Sequence, residues 1–461
     1  MIRRLINKVL GRKASAGPLI LPLEKHGIRR EQVHACALKV TRTLREAGYT
    51  AFVVGGAVRD LLLAREPKDF DVATDATPEE VKRVFRRSRI IGRRFQIMHV
   101  YCGPDVIEVT TFRAATPPPE DLDNEEGEGI REGARVTADD GMLLRDNVFG
   151  NQEEDAARRD FTVNALYYDT EKQEIWDWHG GVADAKKKVL RMIGDPEQRF
   201  REDPVRMLRA ARFAAKLDFH IDPGTRAPIA QLATMLERIP PSRLFDEMMK
   251  LLLSGHAERG VRQLRAEGLH HGVLPMLDTI LDDPGRQKFL HAALHDTDER
   301  VRRDHSASPA FMLACLLWFD FQAEFAANRK AGMHDQPASF EAMDTTLERQ
   351  RGALAFPRRF DGMIKEIWAL QNRLTQRSGG KPFRLLSHPR FRAGYDFLLN
   401  RARGGDAPQE LADWWTRFQD VGEDERADML VTPSAGEAGK RKRRKRPRRK
   451  TGDGPAEATG D

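Results

Sequence analysis

The sequence predicts an α+β protein: an N-terminal head with a small mixed β-sheet, then an all-helical neck and body, then a disordered basic tail. Three observations carry that reading. Short runs rich in β-branched and aromatic residues, bounded by glycine and proline, fall at 51–54, 96–101, 105–111 and within 167–193, as strands require. After Leu217 this pattern gives way to helical periodicity as far as about residue 430, punctuated by Pro223, Pro228, Pro240, Pro241 and Pro309. From Val431 onward order is expected to fail, because 441–450, RKRRKRPRRK, is a nearly unbroken cationic block that cannot bury enough apolar surface to fold.

Length sets the number of domains. A chain of 461 residues can bury more than one core, and the expected divisions are a flexible basic segment at 1–30, the head at 31–195, a helical neck at 196–270, a helical body and arm at 271–430 and the tail at 431–461. The net charge of +7 comes from 77 Lys and Arg against 70 Asp and Glu, so the basic excess is local and suits a polyanionic partner. Cys36, Cys102 and Cys315 are far apart and odd in number, which argues against a disulfide framework or a zinc site and for a cytosolic chain. The longest apolar run, 311–319, is too short to span a bilayer and reads as a buried core helix started by Ser308-Pro309.

Residues 1–13 set Ile2, Leu5, Ile6, Val9 and Leu10 against Arg3, Arg4, Lys8, Arg12 and Lys13, an amphipathic segment for which a membrane surface is a candidate contact. A helix is expected over 31–47, with Val33, Cys36, Val40 and Leu44 on one face and Gly48 at its end. The strand 51–54 follows, then a short helix over 58–63 and a further helix from Pro78 to about Phe85, capped at Thr77. Arg86, Arg87, Arg89, Arg93 and Arg94 crowd the next stretch, and a hairpin turns at Gly103-Pro104. Periodicity is lost over 114–146, which marks a mobile loop. Strand, turn at Gly180-Gly181, short helix and strand close the head, and a helix after Pro204 places Arg206, Arg209 and Arg212 on adjacent turns. His291, His295 and His305 lack the partners a metal site needs.

The chemistry concentrates between Ala51 and Ala76. Gly55 and Gly56 remove the Cβ atoms that would keep a ligand from the backbone, and they lie where a helix begins, so the turn can receive phosphate oxygens. In extended backbone Asp69 and Asp71 point to one face while Phe70 turns to the core, which makes a pair of hard oxygen donors suited to Mg²⁺. Glu108, on the second strand of the hairpin, is an additional candidate ligand.

These residues resemble a known family. The string Gly55-Gly56-Ala57-Val58-Arg59-Asp60 with Lys68-Asp69-Phe70-Asp71-Val72-Ala73-Thr74 is similar to the signature of the class II nucleotidyltransferases, which include bacterial poly(A) polymerases and CCA-adding tRNA nucleotidyltransferases. Arg158-Arg159-Asp160-Phe161-Thr162 resembles a second signature of that family. Gly92-Arg93-Arg94-Phe95, Glu202-Asp203-Pro204 and the strings around His388-Pro389 and Trp414-Trp415 resemble the poly(A) polymerase branch.

The resemblance implies template-independent addition of AMP from ATP to RNA 3′ ends, with Asp69 and Asp71 as catalytic carboxylates around two Mg²⁺ ions and Asp160 as the third of the set or the ribose contact beside it. It places Gly55, Gly56 and Arg59 on the triphosphate, Arg159 on the nucleotide, Asp203 and Arg206 on the base edge, and Arg209 beside them. Arg93, Arg94 and Arg212 are expected to meet RNA, and the tail residues Arg441, Lys442, Arg443 and Arg444 to add affinity that falls with salt. The expected partners are RNA 3′ ends and RNA-decay proteins, for a monomer in the cytoplasm. Two alternatives share the same head: a CCA-adding tRNA nucleotidyltransferase, and an RNA-binding protein with an inactive catalytic site.

Overall fold

The structure, a computed structural model, describes residues 17–92, 96–114, 148–270 and 283–431, with short pieces at 136–137, 143–145, 277 and 280–281. The expectations for residues 1–13, for most of the 114–146 loop, for Arg93 and Arg94 and for the tail with Arg441, Lys442, Arg443 and Arg444 lie outside the described residues. The chain divides into two compact units after Ile364.

The first unit is built on one eight-stranded sheet. In chain order its strands are β1 (Leu19–Leu21), β2 (Ala51–Val54), β3 (Asp71–Thr74), β4 (Ser88–Ile91), β5 (Ile97–Cys102) and β6 (Asp105–Thr111), followed, after a separate ribbon of β7 (Val136–Thr137) and β8 (Leu143–Arg145), by β9 (Leu166–Asp169) and β10 (Glu174–Asp177). They lie side by side as β1-β10-β9-β2-β3-β6-β5-β4, and only the β3–β6 junction is parallel. Every residue of β2 is buried because the sheet is covered on both faces, the condition that makes AFVV a continuous apolar run rather than an alternating one.

The two faces have different neighbours. Val53, Val72, Val100, Ile107, Val109 and Tyr168 join Cys36, Ala37, Val40 and Leu44 of α1 (Ala35–Glu46) in one core. On the other face Phe52, Val54, Ala73, Phe112 and Tyr167 pack with Ala156 of a later helix, and Trp176 and Trp178 lie against them. Helix α2 (Gly56–Leu62) starts directly at the glycine turn, and α3 (Pro78–Val84) begins with a full capping box in which Thr77 and Glu80 satisfy each other's backbone amides. Then come α4 (Gln152–Arg158), α5 (Gly181–Lys187), α6 (Pro196–Glu202), α7 (Val205–Leu217) and α8 (Pro241–Leu252). In the second unit, Leu398, Trp415 and Phe418 form a separate core, and the bare Gly394 lets Leu370 close in.

Several expectations are corrected. The edge strands β1 and β4 of the eight-stranded mixed sheet were not expected, because they are too short and too exposed to show a burial pattern in sequence; β1 also gives part of the segment expected to be flexible a fixed place against β10. Cys36 and Cys102 form a disulfide: α1 packs across the end of β5 and brings their Cα atoms to 6.0 Å, a proximity that a separation of 66 residues conceals. Cys315 is a free, buried thiol. The apolar run at 311–319 is two helices, Pro309–Leu316 and Trp318–Lys330, bent by 52°, with Met312 to Trp318 buried. No single helix among the described residues is long and apolar enough to cross a membrane.

Candidate active site

A cleft of about 450 Å³ opens where β2 ends and β3 begins, lined on its other sides by residues of α2 and α7. Its glycine turn is forced. Gly55 has φ 72° and ψ −127°, a conformation closed to residues with a side chain, and its amide donates to the Leu166 carbonyl at 3.0 Å. A Cβ added there would also stand 3.4 Å from Nη1 of Arg159. The backbone is therefore bare beside the Arg159 guanidinium.

The acidic pair comes from the next strand. Asp71 opens β3 and pairs in register with Val54 on one side and Glu108 of β6 on the other, so Asp71 and Glu108 share a sheet face. Asp69 precedes the strand and is exposed, while Phe70 packs partly buried against the sheet core, as the alternation required. Burial, followed by the Glu108 charge and against the opposing pull of Arg159, pushes the Asp71 carboxyl up to about 6, with Asp69 adding to the repulsion. A divalent cation between Asp69 and Asp71 would relieve that strain. Glu108 stands farther out, half-exposed and 3.4 Å from Nε2 of His99. Among the described residues no three His, Cys, Asp or Glu side chains converge as a ready-made cage. A carboxylate pair with positions left for phosphate oxygens and water is the arrangement Mg²⁺ favours.

Asp160 lines the same cleft but is held differently. Its Oδ2 accepts two bonds from the Arg209 guanidinium at 2.9 and 2.7 Å, and its Oδ1 accepts from the Asn164 amide at 3.1 Å and from the Phe161 amide at 2.8 Å. The charges that act most strongly on Asp71 are those of Glu108, Arg159 and Asp69, so Asp160 answers to the arginine wall.

The arginines are anchored one by one. Arg159 bonds to Asp155 at 3.0 Å and to the Tyr167 hydroxyl at 3.0 Å; although burial opposes its charge, Tyr167 and Asp155 more than compensate and hold its pKa above the ordinary value. Arg59 lines the cleft but is only 2% exposed: it pairs with Asp60, donates to the Asn164 Oδ1 and lies 5.5 Å over the Phe213 ring. Arg59, expected on the triphosphate, thus reaches the cleft with its guanidinium already held by Asp60 and Asn164. Arg212, expected at RNA, is half-buried and pairs with Glu247 at 3.1 Å while stacking 4.3 Å over Phe213, since its turn of α7 faces α8.

At the far end, Asp203 ends α6, and its Oδ2 accepts from Arg243 of α8 at 2.9 Å. Arg206 donates to the Arg199 carbonyl at 2.8 Å and to Glu202. The cleft thus brings together Gly55, Gly56, Arg59, Asp69, Asp71, Arg159, Asp160, Asp203, Arg206 and Arg209, and leaves Arg212 outside. Sequence reasoning missed Lys68, Asn164, Phe213 and Lys216, which also line it. Helical spacing from Arg206 and Arg209 could have found Phe213 and Lys216, which lie on the same face of α7.

Comparison with known proteins agrees with this geometry. Residues 51–191 match the family described as "Poly A polymerase head domain", 218–281 that described as "Probable RNA and SrmB- binding site of polymerase A", and 331–450 that described as "Polymerase A arginine-rich C-terminus". The chain is 42% identical to Poly(A) polymerase I of Salmonella typhimurium over 438 residues, covering 94% of this chain and 92% of that one. It is 41% identical to Poly(A) polymerase I of Escherichia coli O6:H1 over 93% of both chains. A CCA-adding enzyme of Streptococcus suis is 32% identical over 74% of this chain and 79% of its own length. Among solved structures, the Bacillus stearothermophilus CCA-adding enzyme in complex with CTP superposes with a TM-score of 0.55 at 26% identity, over 83% of this chain and 80% of that one. The Thermotoga maritima CCA-adding enzyme, at 19% identity and a TM-score of 0.54 over 91% and 92% of the two chains, shares the fold. With whole-chain relatedness joined to a glycine turn, an acidic pair and an arginine wall in one cleft, the chain belongs to the poly(A) polymerase family of nucleotidyltransferases.

Proposed function

We propose that this chain is a polynucleotide adenylyltransferase that adds AMP from ATP to RNA 3′ ends without a template and releases pyrophosphate. The observation that carries the reading is 42% identity to Poly(A) polymerase I along 94% of the chain, against 32% along 74% for a CCA-adding enzyme. Asp69 and Asp71 would hold the divalent cation, with Glu108 beside them and two Mg²⁺ ions as the expected complement. Bound there, Mg²⁺ supplies a lowered pKa at the RNA 3′-hydroxyl and counter-charge for the departing pyrophosphate.

The chain's own groups do the positioning. The bare turn at Gly55 and Gly56 lets phosphate oxygens approach the first amides of α2. Arg159 and Arg209 present guanidinium edges that Asp155 and Asp160 keep from swinging away, so the nucleotide meets donors already in place. Asp203 and Arg206 offer an acceptor and a donor at the base end, and Arg243 fixes the orientation of Asp203. The 3′-hydroxyl then attacks the α-phosphorus in line, and the P–O bond to pyrophosphate breaks, with no covalent enzyme intermediate. RNA engages the helical region matched at 218–281 and the basic tail.

Primer extension on a generic RNA with each nucleoside triphosphate in turn tests this. Extension with ATP and release of pyrophosphate are expected; D69A or D71A should reduce the rate by about three orders of magnitude while RNA affinity stays near normal. Preferential repair of a tRNA lacking its terminus with CTP would instead make the chain a CCA-adding enzyme.

A further inference from the structure

Six cationic side chains line the cleft, and four of them are arginines already committed within the protein: Arg59 to Asp60, Arg159 to Asp155, Arg206 to Glu202 and Arg209 to Asp160. A guanidinium paired with a carboxylate presents little net charge to a ligand, whereas a nucleoside triphosphate is strongly anionic. The remaining two cations are Lys68, exposed beside Asp69, and Lys216.

Lys216 is placed differently from the arginines. It lies in the last turn of α7, half-buried, and among the described residues its ammonium has no hydrogen-bond or ion-pair partner. The surrounding charge is in excess of one sign: Arg59, Arg212 and Lys68 act against it, and Asp60, the opposing charge, is already paired with Arg59. Burial and those neighbours lower its pKa from the ordinary value, as expected of an ammonium awaiting an anion. The spacing supplies the direction. Arg206, Arg209, Phe213 and Lys216 follow one another along the face of α7 that lines the cleft, and at 1.5 Å rise per residue the ends of that row are about 15 Å apart. This is comparable to the extended length of a nucleoside triphosphate from base to terminal phosphate. With the base end at Asp203 and Arg206, the other end of the row falls at Lys216.

We propose that Lys216 binds the β- and γ-phosphates of the incoming nucleotide and holds the pyrophosphate as it leaves, so that α7 measures the nucleotide from base to terminal phosphate. This rests on the adenylyl-transfer reading for the identity of the substrate, and on the cleft alone for the presence of an uncommitted cation.

The test compares ligands of different phosphate length by calorimetry on the full chain with Mg²⁺. In K216M the affinity for ATP and for inorganic pyrophosphate should fall about tenfold or more, with AMP affinity and the thermal midpoint unchanged. K216R should recover most of the loss. Equal weakening of ATP and AMP, no weakening, or a pyrophosphate loss that follows K68M rather than K216M would overturn the assignment. Primer extension by the unaltered protein separates the two readings: if it adds no AMP to RNA while K216M still loses pyrophosphate selectively, the adenylyl-transfer reading fails and the phosphate site stands.

Discussion

Burial alone would raise the Asp160 carboxyl, but the Arg209 guanidinium, with help from Asn164 and the Phe161 amide, outweighs it and holds the pKa at about 2. A value depressed below the ordinary 3.8 stabilises the folded state above that pH, and the contribution is lost as pH falls through about 2. The size is about 2 kcal/mol. D160N should therefore lower unfolding stability at neutral pH by about 2 kcal/mol or more, since Arg209 is left half-matched, and should flatten the acid limb of stability against pH. Chemical denaturation at pH 7 and pH 3 checks both. At this scale the sequence was most legible where the chemistry needs neighbours: two glycines, or two carboxylates one residue apart, declare themselves in a string. It was least legible for Asn164, which bridges Arg59 and Asp160 across more than a hundred positions and reads in sequence as one more polar residue.

The elements that carry these residues are held by close backbone approaches. Gly181 at the start of α5 sits against the Thr162 carbonyl, and a Cβ there would lie 2.1 Å from that oxygen. The neighbouring turn, Thr162–Asn164, is the one that delivers Asn164 to the cleft. Gly180 has φ 77° but open space around its Cβ position. G181A should accordingly cost about 2 kcal/mol or more by forcing backbone apart, and G180A only about 1 kcal/mol of conformational strain; the shift of each denaturation midpoint decides it. Elements with strong local signals were visible in advance: the Thr77 capping box, the buried run of β2 and the β5–β6 hairpin. The edges β1 and β4 were not, because a short strand with one neighbour has little burial to write into its composition.

Across the whole molecule the basic excess is unevenly distributed. The arginines of the head and neck are largely matched by carboxylates, whereas 441–450 contains nine basic residues and no acidic one. Removing residues 432–461 should weaken RNA binding about equally for all sequences and flatten the salt dependence of the affinity by several units of slope, leaving ATP affinity unchanged; a filter-binding series in salt measures it. What the sequence determined by itself was the order of parts, the α+β class, the helical majority after the head and the acidic pair with its glycine turn, because each is written in periodicity or adjacency. Only the tertiary structure decided which cations are committed and which are open, that Cys36 meets Cys102, and that Asp160 serves Arg209. Those depend on which side chains meet across long sequence separations, and pairing at a distance leaves no local mark on a chain.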